Sequence, residues 1–252
     1  MLLALAGCGG SGNSLQAVRR ATANTLALSA QSTLTLTGSR LFGDGPTIIG
    51  RGEFSFPKGL GYGALQLPAG GTAYLVYLPT KLWIKPVTST ALPAGRLWIS
   101  TELPESSPLA LTLEGMNPQL LLEEIATGAV AASSSGHSVV DHVPYSEYSV
   151  SVDLARALAA AGHNRALRTA MRKQLGAGSR LRIVVGIDGT ERLAQLQFSL
   201  PGSQLGTVHI LLWKFGSAIP LSLPLASQTV GLASLRLAPE ASTPGRLLAG
   251  GG

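Results

Sequence analysis

Cysteine is almost missing from this sequence, since Cys8 is the only one among 252 residues. A single thiol excludes an intramolecular disulfide, so the fold must be held together by a hydrophobic core. Hydrophobic residues make up 45% of the chain. This is enough to build a sizeable core in one large domain or two small ones.

Charged residues are also scarce, at 13% of the chain, and the net charge is +6. The longest run of basic residues is Arg19-Arg20, whereas a nucleic-acid surface needs clustered Lys and Arg with stacking aromatics. We therefore expect no nucleic-acid partner. The basic balance is interpreted as scattered solvating charge with mild attraction to anionic lipid headgroups.

Long apolar runs are lacking as well. After the first residues no stretch approaches the ~18 apolar residues of a membrane-spanning helix. Gly, Ser, Thr, Pro and Ala are plentiful instead, which favours strands and turns over long surface helices.

The N-terminus carries a bacterial lipobox pattern, Leu5-Ala6-Gly7-Cys8, followed by the Gly/Ser-rich stretch 9–13. Small residues before the cysteine allow cleavage just ahead of a thiol that already carries diacylglycerol. We predict that Cys8 is acylated and that residues 9–13 form a flexible tether. A buried core thiol is the alternative interpretation of a lone cysteine.

The residues before Cys8 are few: only seven, with no Lys or Arg among them. A signal peptide has a charged n-region and roughly 7–15 apolar residues. We therefore interpret residues 1–8 as the truncated end of a longer export signal. Acylation predicts an exported protein, lipid-anchored to the outer face of the cytoplasmic membrane.

Periodicity in the first half predicts a helix and then six antiparallel strands. The helix runs from Ser14, its predicted cap, to Ala30. Apolar–polar alternation at short, turn-bounded intervals then indicates a meander. The predicted strands are Gln31–Ser39, Ile48–Phe56, Tyr62–Leu67, Thr72–Leu78, Lys81–Lys85 and Leu97–Thr101.

The second half predicts further helices and strands. Asn117-Pro118 caps a helix over residues 119–127, on which Glu123 and Glu124 are expected to face outwards. A loop is predicted first, at Ala129–Gly136, and then a hairpin of His137–Val140 and Tyr145–Val152. A helical region, Leu154–Leu175, follows with a break at residues 162–164. Three strands and a final extended stretch are predicted at Leu181–Ile187, Glu191–Leu200, Thr207–Phe215 and Pro220–Thr229. Residues 14–230 form the predicted domain, and residues 231–252 a disordered, low-complexity tail.

A sheet that packs on helices needs one apolar face. Because the helices are rich in alanine, they leave space at this face, and a dry apolar void accepts hydrocarbon. The alternative is that the same residues pack solid, which depends on the curvature of the sheet. The predicted cavity residues are Leu34, Leu36, Phe54, Phe56, Leu65, Leu67, Leu82, Ile84, Leu97, Ile99, Leu120, Leu121, Ile125, Leu196 and Phe198.

No arrangement of residues predicts turnover chemistry. The four histidines are scattered, and His137 and His142 are interpreted as exposed loop residues rather than metal ligands. No serine lies on a strand-to-helix elbow. We expect no catalytic residue, metal or cofactor, and so no enzyme. Trp83 alternates with Lys81 and Lys85, and so either packs on the sheet or contacts a membrane or partner protein.

The element order resembles the LppX/LprG-type lipoproteins of actinobacteria, which are related in shape to LolA and LolB. The resemblance covers Cys8 to about Thr229. Its short echoes are Leu97-Trp98-Ile99-Ser100 ahead of Asn117-Pro118, Asp153-Leu154-Ala155 and the Asp188-Gly189 turn. It implies an α+β fold in which a strongly curved antiparallel sheet, a half-barrel, has about three helices over its concave face.

The resemblance also implies a function, because members of that family bind or shuttle lipids. We expect an acylated lipoprotein that binds the acyl chains of a lipid or glycolipid and carries or chaperones it in the cell envelope. The alternative is an envelope interaction or sensor module of the same fold, with a closed core and a protein partner.

Overall fold

The computed structural model describes residues 11–37, 48–67, 70–88, 92–102, 117–160, 180–199, 206–220 and 222–235. In this part of the chain, a curved, unclosed sheet of twelve strands packs against three helices. The predicted fold class is therefore confirmed. Cys8, residues 161–179 and residues 236–252, to which sequence predictions also apply, lie outside the described residues.

The bounds of the elements are as follows. The helices are α1 (Ser11–Leu26), α2 (Pro118–Gly128) and α3 (Leu154–Ala159). The strands are β1 (Ser29–Thr37), β2 (Ile48–Ser55), β3 (Leu60–Gln66), β4 (Thr72–Leu78), β5 (Lys81–Lys85), β6 (Trp98–Glu102), β7 (Ala129–Val140), β8 (Val143–Asp153), β9 (Arg180–Ile187), β10 (Leu193–Ser199), β11 (Thr207–Trp213) and β12 (Thr229–Gly231).

The sheet order is β12-β6-β5-β4-β3-β2-β1-β11-β10-β9-β8-β7. The predicted meander of β1 to β6 is present, and β7 to β11 form a second one. Antiparallel pairing of β1 with β11, from Gln31–Trp213 to Thr37–Thr207, joins the two halves. A single sheet therefore spans the domain, with β12 and β7 at its edges.

Burial alternates along the central strands, as a sheet with one covered face requires. In β1, Leu34 and Leu36 are buried whereas Thr33 and Thr35 are only half-buried. The buried side chains on the inner face of the sheet together form one hydrophobic core cluster across these strands.

Helix α1 is fixed to the sheet by polar as well as apolar contacts. The buried Thr25 hydroxyl accepts a hydrogen bond from the Leu193 backbone N–H at 2.8 Å. The Arg19 guanidinium donates to the carbonyl of Ala129 at 2.9 Å. Val18 and Ala21 face the core and are fully buried. No helix in the described part of the chain is long and apolar enough to cross a bilayer.

The C-terminal segment crosses the outer face of the sheet. Strand β11 lies beside β1, whereas β12 pairs in parallel with β6, so residues 214–220 and 222–228 (the crossing segment) connect the two across the intervening strands. The Arg96 guanidinium holds its far end by donating to the carbonyls of Ala226 at 3.0 Å and Thr229 at 3.0 Å. The predicted tail therefore begins too early, because residues 231–235 are ordered against β6.

Two element predictions differ from the structure. Helix α1 begins at Ser11, so residues 11–13 are helical rather than a tether, and Ser14 is not its cap. The helix ends at Leu26 rather than at Ala30, because the chain from Ser29 onwards forms β1. Residues 129–136, predicted as a loop, belong to β7. Pairing with β8 along the whole strand outweighs the low strand propensity of its small residues.

Glu124, which was expected to face solvent, is buried, and so is Trp83, for which two interpretations were open. Glu124 is 1% exposed, because α2 is covered by α1 and α3 on more than one side. Trp83 is 8% exposed, so its packing alternative is the correct one. The Lys81 ammonium lies 5.3 Å from the centroid of the Trp83 ring, and Val76 and Ser100 flank Trp83 on the neighbouring strands.

The connection between β9 and β10 is a five-residue loop, not the two-residue Asp-Gly turn that the sequence suggests. The Asp188 carboxylate organises it by accepting hydrogen bonds from the backbone N–H groups of Thr190 at 2.9 Å and Arg192 at 3.0 Å. The Arg192 guanidinium donates two more hydrogen bonds to Oδ2 of Asp188, from Nε at 3.0 Å and from Nη2 at 2.8 Å. Burial raises the pKa of Asp188, but the bonds from Arg192 and Thr190 outweigh it and hold this pKa below its usual value.

We predict that this loop gives the fold an acid-sensitive contribution. A lowered folded-state pKa stabilises the fold above the unfolded pKa of 3.8, and this stability is lost as the pH falls further, through the folded pKa. Asp188→Asn should lower the free energy of unfolding at pH 7 by about 1–2 kcal/mol, because charge-assisted bonds are lost. Urea denaturation at pH 7 and pH 3 measures both effects. An equal pH dependence in variant and wild type would contradict this role.

Candidate functional site

Most of the predicted cavity residues meet in the interior between the sheet and the helices. Thirteen of them belong to the core cluster, each less than 9% exposed. These residues are Leu34, Leu36, Phe54, Phe56, Leu65, Leu67, Leu82, Ile84, Ile99, Leu121, Ile125, Leu196 and Phe198.

The other two predicted residues lie elsewhere. Leu97 precedes β6 and is half-buried, and its N–H donates to the carbonyl of Gln228 at 2.9 Å. Leu120 is buried but lies outside the core cluster. It lines a separate polar cleft of about 350 Å³ with Phe56, Asn117 and Glu123 at the start of α2. Leu122, which the sequence analysis did not single out, is fully buried in the core.

The middle of the inner face carries glycine where the neighbouring strands carry bulky side chains. Four such positions form a shallow depression, the glycine trough, across β2 and β3. They are Gly50, Gly52, Gly61 and Gly63, with Gly52 directly opposite Gly63. The flanking strands present larger residues at the same level, such as Leu34 on β1 and Leu75 on β4.

The Phe54 ring fills one end of the trough. A Cβ atom placed on Gly61 would lie 2.4 Å from Phe54 Cε1, and one on Gly52 would lie 2.6 Å from Phe54 Cε2. The ring therefore lies flat on the backbone of both glycines. It also packs on Phe56, with centroids 6.1 Å apart, and on Tyr77, with centroids 5.9 Å apart.

Among the described residues, the rings over the trough leave a small cavity. The cavity above the trough has a volume of about 20 Å³, which is room for about one water molecule. Leu34, Leu75, Tyr77 and Pro118 contribute to its walls. The described residues thus form an apolar interior that is floored by glycine and closed by aromatic rings.

The described groups with a perturbed pKa lie mainly on the outer face. Burial lowers the pKa of His209. Burial raises the pKa of Tyr62, and the neighbouring Tyr74 and Glu53 add to this rise. The described residues contain no cluster of three or more His, Cys, Asp or Glu that could hold a metal ion.

The glycine trough was missed by the sequence analysis. Its signal was present as the repeated pattern Gly-x-Gly, at residues 50–52 inside one predicted strand and at residues 61–63 across the start of the next. Alternation places both glycines of each pair on one face, and hairpin pairing brings the two pairs together.

Comparison with solved structures identifies this architecture. The Mycobacterium tuberculosis lipoprotein LppX superposes with a TM-score of 0.53 at 15% identity, covering 84% of this chain and 100% of that chain. The chain has the LppX fold. LprF from Mycobacterium bovis matches with a TM-score of 0.48 at 14% identity, covering 85% of this chain and 99% of that one.

A LolA superfamily protein from Nitrosomonas europaea matches more distantly, with a TM-score of 0.29 at 8% identity, covering 85% of this chain and 94% of that chain. No protein-family model matches the sequence, and no curated protein matches it. The LppX-type resemblance predicted from the sequence is confirmed as a likeness of fold.

We predict that Phe54→Ala opens the trough of the LppX-like fold. Removing the buried ring should lower the free energy of unfolding by about 3–5 kcal/mol through lost packing and a new cavity. Because an apolar cavity of this kind stays dry, benzene should raise the Tm of the variant and leave that of the wild type unchanged. Val139→Ala, at a side chain that is 69% exposed, is the matched control. An unchanged stability of Phe54→Ala would contradict the packing role of the ring.

Proposed function

We propose that this protein is an exported lipoprotein, anchored through an acylated Cys8, which binds the acyl chains of a lipid or glycolipid between its sheet and helices. It carries or chaperones that lipid in the cell envelope and performs no turnover chemistry. The observation that carries the proposal is the continuous apolar inner face, floored by glycine, in a chain with the LppX fold.

The lining of the interior supports a hydrocarbon ligand. The residues around the trough are aliphatic, aromatic or glycine, apart from Ser32 and the backbone of Arg51 and its neighbours. A polar headgroup buried there would lose its hydration and gain no hydrogen-bond partner, whereas each buried methylene group stabilises the complex by about 0.8 kcal/mol.

Binding requires the rings over the trough to move. A cavity of about 20 Å³ is far below the several hundred Å³ of a typical ligand pocket. The Phe54 and Tyr77 rings lie over the glycine backbone and pack on each other, and Phe54 also packs on Phe56. An acyl chain that displaces them replaces one apolar contact with another, so the hydrophobic stabilisation of the trough is retained.

The small volume of the cavity favours a second candidate function. In this alternative the interior stays closed, and the protein is an envelope interaction module that binds a partner protein through its outer surface. The two candidates differ in one respect that can be measured, which is whether lipid is retained in the interior.

We predict that filling the trough reduces lipid retention. A Cβ atom on Gly63 would lie 3.7 Å from the nearest atom, Tyr77 Cε2, so Gly63→Ala fits without strain and Gly63→Val adds bulk along the trough. Protein produced in a bacterial host with a complete leader should retain lipid in native mass spectrometry. Gly63→Val should bind about tenfold more weakly, the effect of an overpacking cost of about 1.4 kcal/mol.

The matched control for this experiment is Ala64→Val, since Ala64 is the next residue on β3 and faces the opposite side of the sheet. It should leave lipid retention unchanged. If the wild type carries no lipid and no long-chain lipid binds to it in detergent exchange, the interior is closed and the interaction-module function replaces the carrier.

We also predict that Cys8 anchors the chain to the membrane. With a complete leader, the wild type should fractionate with membranes and show the mass of the acyl groups on its N-terminal peptide, because two or more acyl chains hold a protein firmly. Cys8→Ala should leave the membrane fraction, and Ser14→Ala, nearby on α1, should remain in it. A wild-type thiol that still reacts with maleimide would rule out acylation.

A further inference from the structure

A large cavity formed by the described residues lies on the outer face, away from the glycine trough. It has a volume of about 470 Å³, which is in the range of small-molecule sites. Its floor is the outer face of β1 to β4, and Pro220 and Ser222 of the crossing segment lie over it. This cavity, the outer groove, runs across the strands from Trp213 on β11 to Trp98 on β6.

The floor of the outer groove follows one row of side chains across the sheet. The register places Trp213, Gln31, Glu53, Tyr62 and Val76 opposite one another on consecutive strands. The six strand spacings from β11 to β6 correspond to about 29 Å. The groove is therefore elongated, and its length suits a linear ligand made of several small rings.

Aromatic side chains line both ends and the middle of the groove. Trp213 is 42% exposed and Trp98 is half-buried. Between them the Tyr62 ring is held by stacking on Tyr74, with centroids 5.9 Å apart. The Lys214 ammonium lies 4.8 Å from the centroid of the Trp213 ring and covers one of its faces. The remaining aromatic faces offer flat apolar surfaces with polar edges to a ligand that has one apolar side and one hydrated side.

Charged groups of both signs lie between the aromatic rings. Arg51 is exposed, and no described residue pairs with its guanidinium. Gln31 donates to one oxygen of the Glu53 carboxylate at 3.2 Å, and no described residue donates to the other oxygen. The groove therefore presents five N–H donors and a free carboxylate acceptor to its contents.

This combination of groups disfavours several classes of ligand. A hydrocarbon would cover the Arg51 and Glu53 charges without giving them a partner. The Glu53 carboxylate opposes an anion such as a phosphate. A peptide strand would find no sheet edge, because the floor consists of strand faces whose backbone groups pair within the sheet.

We propose that the outer groove is a saccharide-binding site. Sugar hydroxyls both donate and accept, so they match a carboxylate and a guanidinium that lie close together. The C–H faces of sugar rings stack on Trp98 and Trp213, and the elongated shape accepts a short oligosaccharide. The site does not depend on the lipid function, because the sheet separates it from the interior.

The crossing segment is attached to the rest of the domain at both ends of the groove. At its start, the Gly216 N–H donates to the carbonyl of Ser29 at 2.8 Å, and at its far end Arg96 binds three carbonyls. Between these attachments, Pro220 and Ser222 line the groove opposite its floor. Leu223 and Leu225 are 51% and 62% exposed, so they do not contribute to the floor contacts.

The experiment is a titration of the full chain with mannotetraose, galactotetraose and chitotetraose, followed by tryptophan fluorescence and calorimetry. At least one of these sugars should bind saturably and change the tryptophan emission. Trp213→Ala and Arg51→Gln should each weaken binding about tenfold, since each removes one contact at a side chain that is exposed in the free protein. Ala64→Leu should block the groove and Leu223→Ala should bind like the wild type.

Two further measurements separate the possible sources of the sugar and the two sites. Vesicles of phosphatidylcholine with and without digalactosyl diacylglycerol test a lipid headgroup, and the free tetrasaccharides test an envelope polysaccharide. Gly63→Val should leave sugar binding unchanged. The proposal is overturned if no sugar binds at millimolar concentration in either form, or if Trp213→Ala and Arg51→Gln bind as tightly as the wild type.

Discussion

The packing of the whole interior depends on a small number of missing side chains. Gly52 and Gly63 face each other at the centre of the inner face, and neither contributes a side chain to it. A sheet surface with a depression must be filled by something apolar, because an empty void forfeits dispersion contacts. Here the Phe54 ring does this, and it lies so close to the backbone of Gly61 that even alanine would collide with it.

Successive side chains of a strand point to opposite faces of the sheet, so an apolar cavity and a charged groove lie on either side of the same strands. Gly63 faces an interior of aliphatic and aromatic groups, whereas Ala64, its neighbour, faces a groove with charges of both signs. The same strands β1 to β4 therefore form the floor of both cavities. A ligand in one cavity makes no contact with a ligand in the other, so each site can be altered by substitutions that leave the other intact.

Local signals predicted much of this arrangement. The meander of β1 to β6, the Asn117 cap of α2 and the Asp153 cap of α3 follow from alternation and from side chains that accept backbone hydrogen bonds. Tertiary effects could not be predicted in this way. Residues 129–136 become a strand only because β8 pairs with them, and Glu124 is buried only because two helices cover α2. Whether the inner face is filled depends on sheet curvature, on which the sequence gives no direct information.

A closed interior is compatible with lipid binding if burying an acyl chain releases more free energy than displacing the rings over the trough costs. A ligand shifts an equilibrium only by its differential affinity for the two states, so the cost of moving Phe54 and Tyr77 must be smaller than the gain from the acyl chain. Moving the two rings out of the core costs about 3–6 kcal/mol of hydrophobic burial, at about 1.5–3 kcal/mol for each ring. Burying ten methylene groups returns about 8 kcal/mol before the entropy of association is subtracted. The exchange therefore favours an occupied trough for a long chain and a closed one for a short chain, which makes the closed structure the expected state of the protein without lipid.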